Sequence, residues 1–181
     1  MNRLIKVLDK KDILPQYINT PIEKLLQYHN LGYDFEKYAK ADLLVGMCMD
    51  NRKQLRIPNN FAYILRTGGG NLRYSEFKVS YAVAIGSVKT IALIGHNNCG
   101  MVNLISKKDN FIKGLIENAG WDEKHAEEHF TSFAPMFEIE NEIDFLLSET
   151  KRLNEKYPKI SVVPLFYNVD DNLLYLIEES K

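Results

Sequence analysis

Residues 43–52 read Leu43-Leu44-Val45-Gly46-Met47-Cys48-Met49-Asp50-Asn51-Arg52. The first six form an unbroken apolar run, as expected of a short strand buried on both faces. Polar residues take over after Cys48, with Asp50 and Arg52 following at intervals of two. In an extended chain, residues two apart point the same way. Cys48 and Asp50 therefore face one point in space, and Arg52 can fold back on Asp50. A bidentate Asp–Arg contact fixes the orientation of a carboxylate.

Outward from this stretch, the same kind of run recurs. Ala62-Tyr63-Ile64-Leu65 is a second strand, closed by Gly68-Gly69-Gly70. Thr90 to Gly95 is a third, followed at once by His96 and Cys99. Ser161 to Tyr167 is a fourth, and turn residues 168–172 precede a last strand at Leu173 to Ile177. Helical patterns fill the gaps. Thr20, Pro21 and Glu23 form a capped start for a helix to about Asn30. Ser75 caps another running to Gly86, and a third follows Gly100. Residues 121–130 are polar and helical, with Pro135 as their stop. Phe137 to Tyr157 reads as one long helix, with Ile139, Ile143, Leu146, Leu147 and Leu153 on its buried side. Alternating strands and helices predict an α/β fold with a mainly parallel central sheet flanked by helices. Such sheets bind ligands beyond the carboxyl ends of their strands. Three strand ends deliver Cys48, the glycine turn and His96–Cys99 to that one edge.

Composition excludes several functions. Lys and Arg number 23 and Asp and Glu 24, for a net charge of −1. That balance offers nothing to nucleic acid or to an anionic membrane. No run approaches the ~20 apolar residues of a membrane span. The first ten residues, Met1 to Lys10, carry charges too early for a secretory signal. A cytoplasmic location is expected, where thiols stay reduced.

The chain has two cysteines, and both fall inside this constellation. Two thiolates and one imidazole suit Zn²⁺. Three protein ligands, Cys48, His96 and Cys99, leave one tetrahedral position open, which is the catalytic pattern. A helix starting near Cys99 would favour its thiolate through the helix dipole. Zinc brings the pKa of bound water toward ~7, and two thiolates soften that effect, so an acceptor beside the water helps. Asp50, held by Arg52, is that acceptor. Released from Arg52, it is close enough to become a fourth ligand and close the site. One rival is the string His125-Ala126-Glu127-Glu128-His129, which fits an inverted zinc-protease pattern. A charged surface helix also produces it, and no motif supplies a third ligand. The glycines do not complete a Gly-x-Gly-x-x-Gly nucleotide loop. Tyr63, Tyr81 and Trp121 read equally well as packing residues.

Taken together, Cys48-Met49-Asp50-Asn51-Arg52, Arg66-Thr67-Gly68-Gly69-Gly70-Asn71, Tyr81-Ala82-Val83 and Gly95-His96-Asn97-Asn98-Cys99-Gly100-Met101 resemble the β-class carbonic anhydrases. The resemblance covers Leu43 to about Met101, and more weakly Val162 to Ile177. It implies zinc on Cys48, His96 and Cys99, and an Asp50–Arg52 catalytic dyad. It implies reversible hydration of CO₂ to bicarbonate by a zinc-bound hydroxide that the dyad orients. It also implies a single domain over residues 1–181: a helical arm over 1–40, embracing a second subunit, and an α/β core over 41–181. The assembly would be a homodimer or a dimer of dimers, with its active sites at the interface. Tyr63, Gly68, Gly69 and Tyr81 take the places of substrate-pocket residues. Thr67 and Gly68 depart from the family's usual Asn and larger apolar residue, Tyr63 stands where Phe is common, and Ala39 lies near the place of a substrate-contacting Gln. A glycine-lined pocket of this kind admits carbonyl sulfide or carbon disulfide as alternative substrates. A non-catalytic, regulatory zinc-binding relative is the remaining alternative.

Overall fold

The computed structural model describes residues 3–178. The ends of the expected 1–181 span, and the first two residues of the N-terminal stretch read above, lie outside the described residues. Six strands form one sheet: β1 (Arg3–Lys6), β2 (Leu43–Cys48), β3 (Ala62–Thr67), β4 (Thr90–His96), β5 (Ser161–Asn168) and β6 (Leu173–Glu178). Their spatial order is β1-β6-β5-β4-β2-β3. The pairs β2–β3, β2–β4 and β4–β5 are parallel, whereas β5–β6 and β1–β6 are antiparallel. The sheet is thus parallel where the site residues lie and antiparallel at the far edge.

Strand alternation builds a core on each face. Leu43, Val45 and Met47 join Ala92, Ile94, Val163 and Leu165 on one side. Leu44, Ile91, Leu93 and Val162 face the other. Helix α1 (Pro21–His29) covers the first face, burying Ile22, Leu25, Leu26 and Tyr28. Helices α2 (Glu76–Ala84) and α5 (Glu142–Lys156) cover the second through Val79, Ala82, Leu146 and Leu153. The remaining helices, α3 (Lys108–Ala119) and α4 (Glu123–Phe137), pack against each other beside the carboxyl end of the sheet.

The described part of the expected 1–40 arm carries α1, which packs on the chain's own sheet. Ahead of it β1 zips onto β6, from Arg3 against Glu178 to Lys6 against Tyr175. Three expectations of local structure are corrected. No α-helix starts near Cys99: α3 begins at Lys108. Helix α4 runs through Pro135 to Phe137. Proline removes one bond to the carbonyl four residues back; here that residue is Thr131, which is exposed to water. The expected helix 137–157 is interrupted, because Asn141 caps α5 by accepting from the backbone N–H groups of Ile143 and Asp144. Ile139 lies in the break, bridged to Val102, and packs with Cys48 and Cys99 rather than on a helix face.

Candidate metal centre

The chain leaves β2 for β3 on one side, then returns across β2 to place β4 on the other. Where strand order reverses in this way, a crevice opens at the carboxyl ends. Cys48 ends β2 and His96 ends β4, so each wall of the crevice carries a ligand. The turn after β4 brings back Cys99, with Asn98 in a left-handed conformation (φ 54°) and the Val102 N–H donating to the Cys99 carbonyl at 3.1 Å.

The ligand atoms of Cys48, His96 and Cys99 lie within 4.8 Å of one another, and all three residues are buried. Among the described residues no other group of His, Cys, Asp and Glu converges in this way. The sulfurs are 4.0 Å apart. Two Zn–S bonds of about 2.3 Å at a tetrahedral angle require about 3.8 Å. His96 is oriented to match. Its Nδ1 hydrogen-bonds the Asn97 carbonyl at 2.9 Å and so carries the proton, leaving Nε2 buried without a partner. An orphaned buried polar atom costs on the order of 1–3 kcal/mol; a cation between the sulfurs removes that cost. A ring whose second nitrogen is anchored on a carbonyl is the usual arrangement of a ligating histidine. Each thiol acts on the other: one ionises readily because its neighbour hydrogen-bonds the thiolate, and that charge together with burial holds the second proton on. The donor set fits zinc.

Asp50 stands outside this triad and is held by Arg52. Its carboxylate accepts from the Arg52 backbone N–H at 2.9 Å, from Nε at 3.0 Å and from Nη2 at 2.5 Å. The same Nη2 donates to the Asn98 carbonyl at 2.9 Å, tying the loop after β2 to the loop after β4. Arg52 holds the Asp50 carboxyl well below the usual carboxylate range. Arg66 braces the loop from beneath, donating to the carbonyls of Asp50 and Lys53 at 3.3 and 2.8 Å. Cys99 is fixed in turn by its backbone N–H, which donates to Glu142 at 3.2 Å.

The expected pocket residues are not brought together within one chain. Gly68 and Gly69 lie at the centre. A Cβ on Gly68 would come within 3.1 Å of Met101 and Phe137, and Gly69 and Gly70 take φ of +63° and +75°. Tyr63 and Tyr81 instead line a separate surface groove with Leu44, Ile64 and Phe77. The register explains this: Tyr63 pairs with Leu44, near the opposite end of β2 from Cys48. A second cavity of about 260 Å³ lies behind the glycine turn, lined by Met101, Leu104, Phe111, Phe130, Phe133 and Phe137. The rival histidines bind no common point with a third ligand; the His125 ring stacks on Trp121 at 4.3 Å and the His129 ring meets Trp121 edge-on at 5.2 Å.

Two further groups here carry no site role in the sequence reading. The Thr67 hydroxyl is buried without a partner beside Cys48, its register neighbour. Lys53 is wholly buried, and its Nζ is also unpartnered. Nothing in the sequence separates Lys53 from the solvated lysines around it.

No family model matches the sequence, and no curated protein matches it. Solved structures are similar in fold. A β-carbonic anhydrase from Trichomonas vaginalis superposes with a TM-score of 0.63 at 16% identity, covering 82% of this chain and 88% of that one. A carbonic anhydrase from Glaciozyma antarctica gives 0.62 at 16% identity, covering 77% and 84%. A carbon disulfide hydrolase gives 0.52 at 18% identity, covering 89% and 90%. The six-stranded mixed sheet, with its helices and its Cys–His–Cys cluster at the switch point, has the fold of the β-class carbonic anhydrases.

Proposed function

We propose that this protein is a zinc lyase that hydrates CO₂ reversibly to bicarbonate. The observation that carries the reading is the buried Cys48–His96–Cys99 triad, its histidine lone pair unclaimed, beside a carboxylate locked by Arg52. A structural zinc site needs no such locked carboxylate, which disfavours a purely regulatory role. Zinc, when bound, supplies Lewis acidity that brings the ionisation of water into the neutral range.

The chain's own residues do the rest. Cys48, Cys99 and the Nε2 atom of His96 would hold the ion, and the Asn97 carbonyl keeps that nitrogen free of its proton. Asp50 is kept anionic and immobile by Arg52, so it accepts a hydrogen bond from the attacking oxygen and aims it at the substrate carbon. The forked contact with Arg52 would keep Asp50 from ligating the metal, and an Asp50 released from it could do so. Gly68 and Gly69 let backbone rather than side chain approach the site. Met101 and Ile139 pack on the cysteines and keep bulk water from them.

The lining of the cavity behind Gly68 favours a second reading, hydrolysis of carbon disulfide or carbonyl sulfide. It is almost entirely apolar, which suits a neutral linear molecule, and a neighbour of this fold is a carbon disulfide hydrolase. Assaying one zinc-quantified sample against CO₂, carbonyl sulfide and carbon disulfide separates the two readings.

The working unit is a homodimer or a dimer of dimers. Strand β3 ends the sheet, and its Tyr63 and Ile64 are 39% and 44% exposed beside Tyr81 at 51% and Phe77 at 83%. Apolar surface of that extent on an open sheet edge suits subunit contact. A second copy seated there would bring Tyr63 and Tyr81 into a shared substrate pocket. Sedimentation at micromolar concentration should give at least twice the 20.9 kDa chain mass; a monomer that turns over CO₂ contradicts the shared pocket. A cytoplasmic location agrees with the free thiols and with the lack, among the described residues, of a helix able to cross a membrane.

A further inference from the structure

His96 ends β4 opposite Tyr167 of β5, and the turn from β5 to β6 reaches back to the residue that follows it. The Val169 N–H donates to Asn97 Oδ1 at 2.8 Å, and Asn97 Nδ2 donates to Asp170 Oδ2 at 3.0 Å. One amide side chain is thus held at both of its polar atoms. The turn can serve as an anchor because it is itself braced. The Asn168 side chain accepts from the Asp170 N–H at 3.0 Å, and Asp171 accepts from the Tyr175 hydroxyl at 2.6 Å and pairs with Lys6 at 2.8 Å.

What this clamp fixes is the peptide after Asn97. The Asn97 carbonyl accepts from His96 Nδ1 at 2.9 Å, which leaves Nε2 unclaimed for a metal. His96 is fixed by its place in β4, and Cys99 by the bond from its N–H to Glu142. Between these two points backbone rotation decides where the Asn97 carbonyl aims, and Asn98 beside it already sits in the left-handed region at φ 54°. We infer that Asn97, clamped by Asp170, is a positioning residue for His96: its side chain aims the carbonyl that presents the imidazole as a metal ligand. The groups that orient a ligating histidine are typically worth 10–100-fold in metal affinity. The inference rests on the zinc reading proposed above, and deepens it by assigning a contact outside the ligand set that governs how tightly the metal is held.

The probe is Co²⁺, titrated into metal-free protein against a competing chelator at pH 7.5 and followed by visible absorption. Each variant is first shown by its urea transition to be folded in that buffer, so that affinity is not read through unfolding. Asn97→Ala keeps the backbone carbonyl but frees it to turn, and should weaken Co²⁺ binding about tenfold. Asp170→Ala changes an exposed residue, so it carries the test should Asn97→Ala fold poorly. It keeps the Val169 contact and should weaken binding about threefold, the worth of one modest hydrogen bond. Asp170→Asn still offers Asn97 an acceptor and should stay within about twofold of wild type. Unchanged affinity in either alanine variant overturns the inference. So does a loss in Asp170→Asn equal to that in Asp170→Ala, which would assign the effect to the charge of Asp170 rather than to the clamp. Wild type that hydrates CO₂ while the alanine variants hold Co²⁺ as tightly sinks the inference alone. Wild type with clamp-dependent Co²⁺ binding and no turnover sinks the proposed activity alone. Wild type that takes up no Co²⁺ overturns both.

Discussion

Replacing Arg52 by alanine removes three side-chain contacts from the Asp50 carboxylate and one from the Asn98 carbonyl. The Arg52 side chain is 46% exposed, so the ion pair is screened and its loss should change stability little. Its kinetic value is larger, because a preorganised electrostatic contact at a reacting centre is worth about 10² to 10³ in kcat. Asp50 would also be free to swing toward the metal. Arg52→Ala should therefore lose at least about 10² in CO₂ hydration, keep its zinc, and unfold at a urea midpoint close to that of wild type. Arg52→Lys should not restore the rate, because an ammonium cannot reproduce the forked contact. The assay is stopped-flow CO₂ hydration alongside metal analysis of the same sample. Activity within about threefold of wild type would refute the reasoning, as would loss of the zinc.

Three further outcomes follow from the same geometry. Cys99→Ser should fall well below one zinc per chain; a chelator should then lower the melting temperature of wild type but not of the variant, since a ligand at 100 times its Kd stabilises by about 2.7 kcal/mol. Burial pushes the His29 imidazole down to about 4, while its Nδ1 accepts from the Arg56 backbone N–H at 3.0 Å. The unfolded chain takes that proton near pH 6.5, so stability is intact above this and falls by up to about 1.4 kcal/mol per pH unit toward pH 4. His29→Gln should flatten that slope in urea titrations at pH 7.5 and 5.5, and equal slopes would count against it. Gly70→Ala forces a side chain into φ +75° and within 3.6 Å of the Cys48 nitrogen. It should lose about 1–2 kcal/mol in urea unfolding, and an unchanged midpoint would contradict the strain.

Strands β2, β4 and β5 are legible in the sequence because a strand covered on both faces is apolar throughout, and the three ligands are legible because each sits just past such a run. β1 is not. It is four residues long, its two apolar residues lie between cations, and its partner β6 lies at the other end of the chain, so no local pattern announces it. The break at residues 138–141 was hidden for a related reason. Ile139 keeps the helical spacing of its neighbours, yet it is held by a bridge to Val102, a contact that exists only after folding. The tyrosines show the limit of resemblance: residues that match a pocket in sequence lie, within one chain, on a separate surface. Buried charges are the least legible of all. Lys53, and Glu149 between Arg73 and Arg152, look like solvated residues until the fold closes over them.

The central claim is best tested by stopped-flow CO₂ hydration at pH 8.5, on protein whose zinc content is quantified in the same sample. The account predicts turnover far above the buffer blank, rising in proportion to zinc up to one per chain. Protein that holds one zinc per chain and does not accelerate hydration would contradict it.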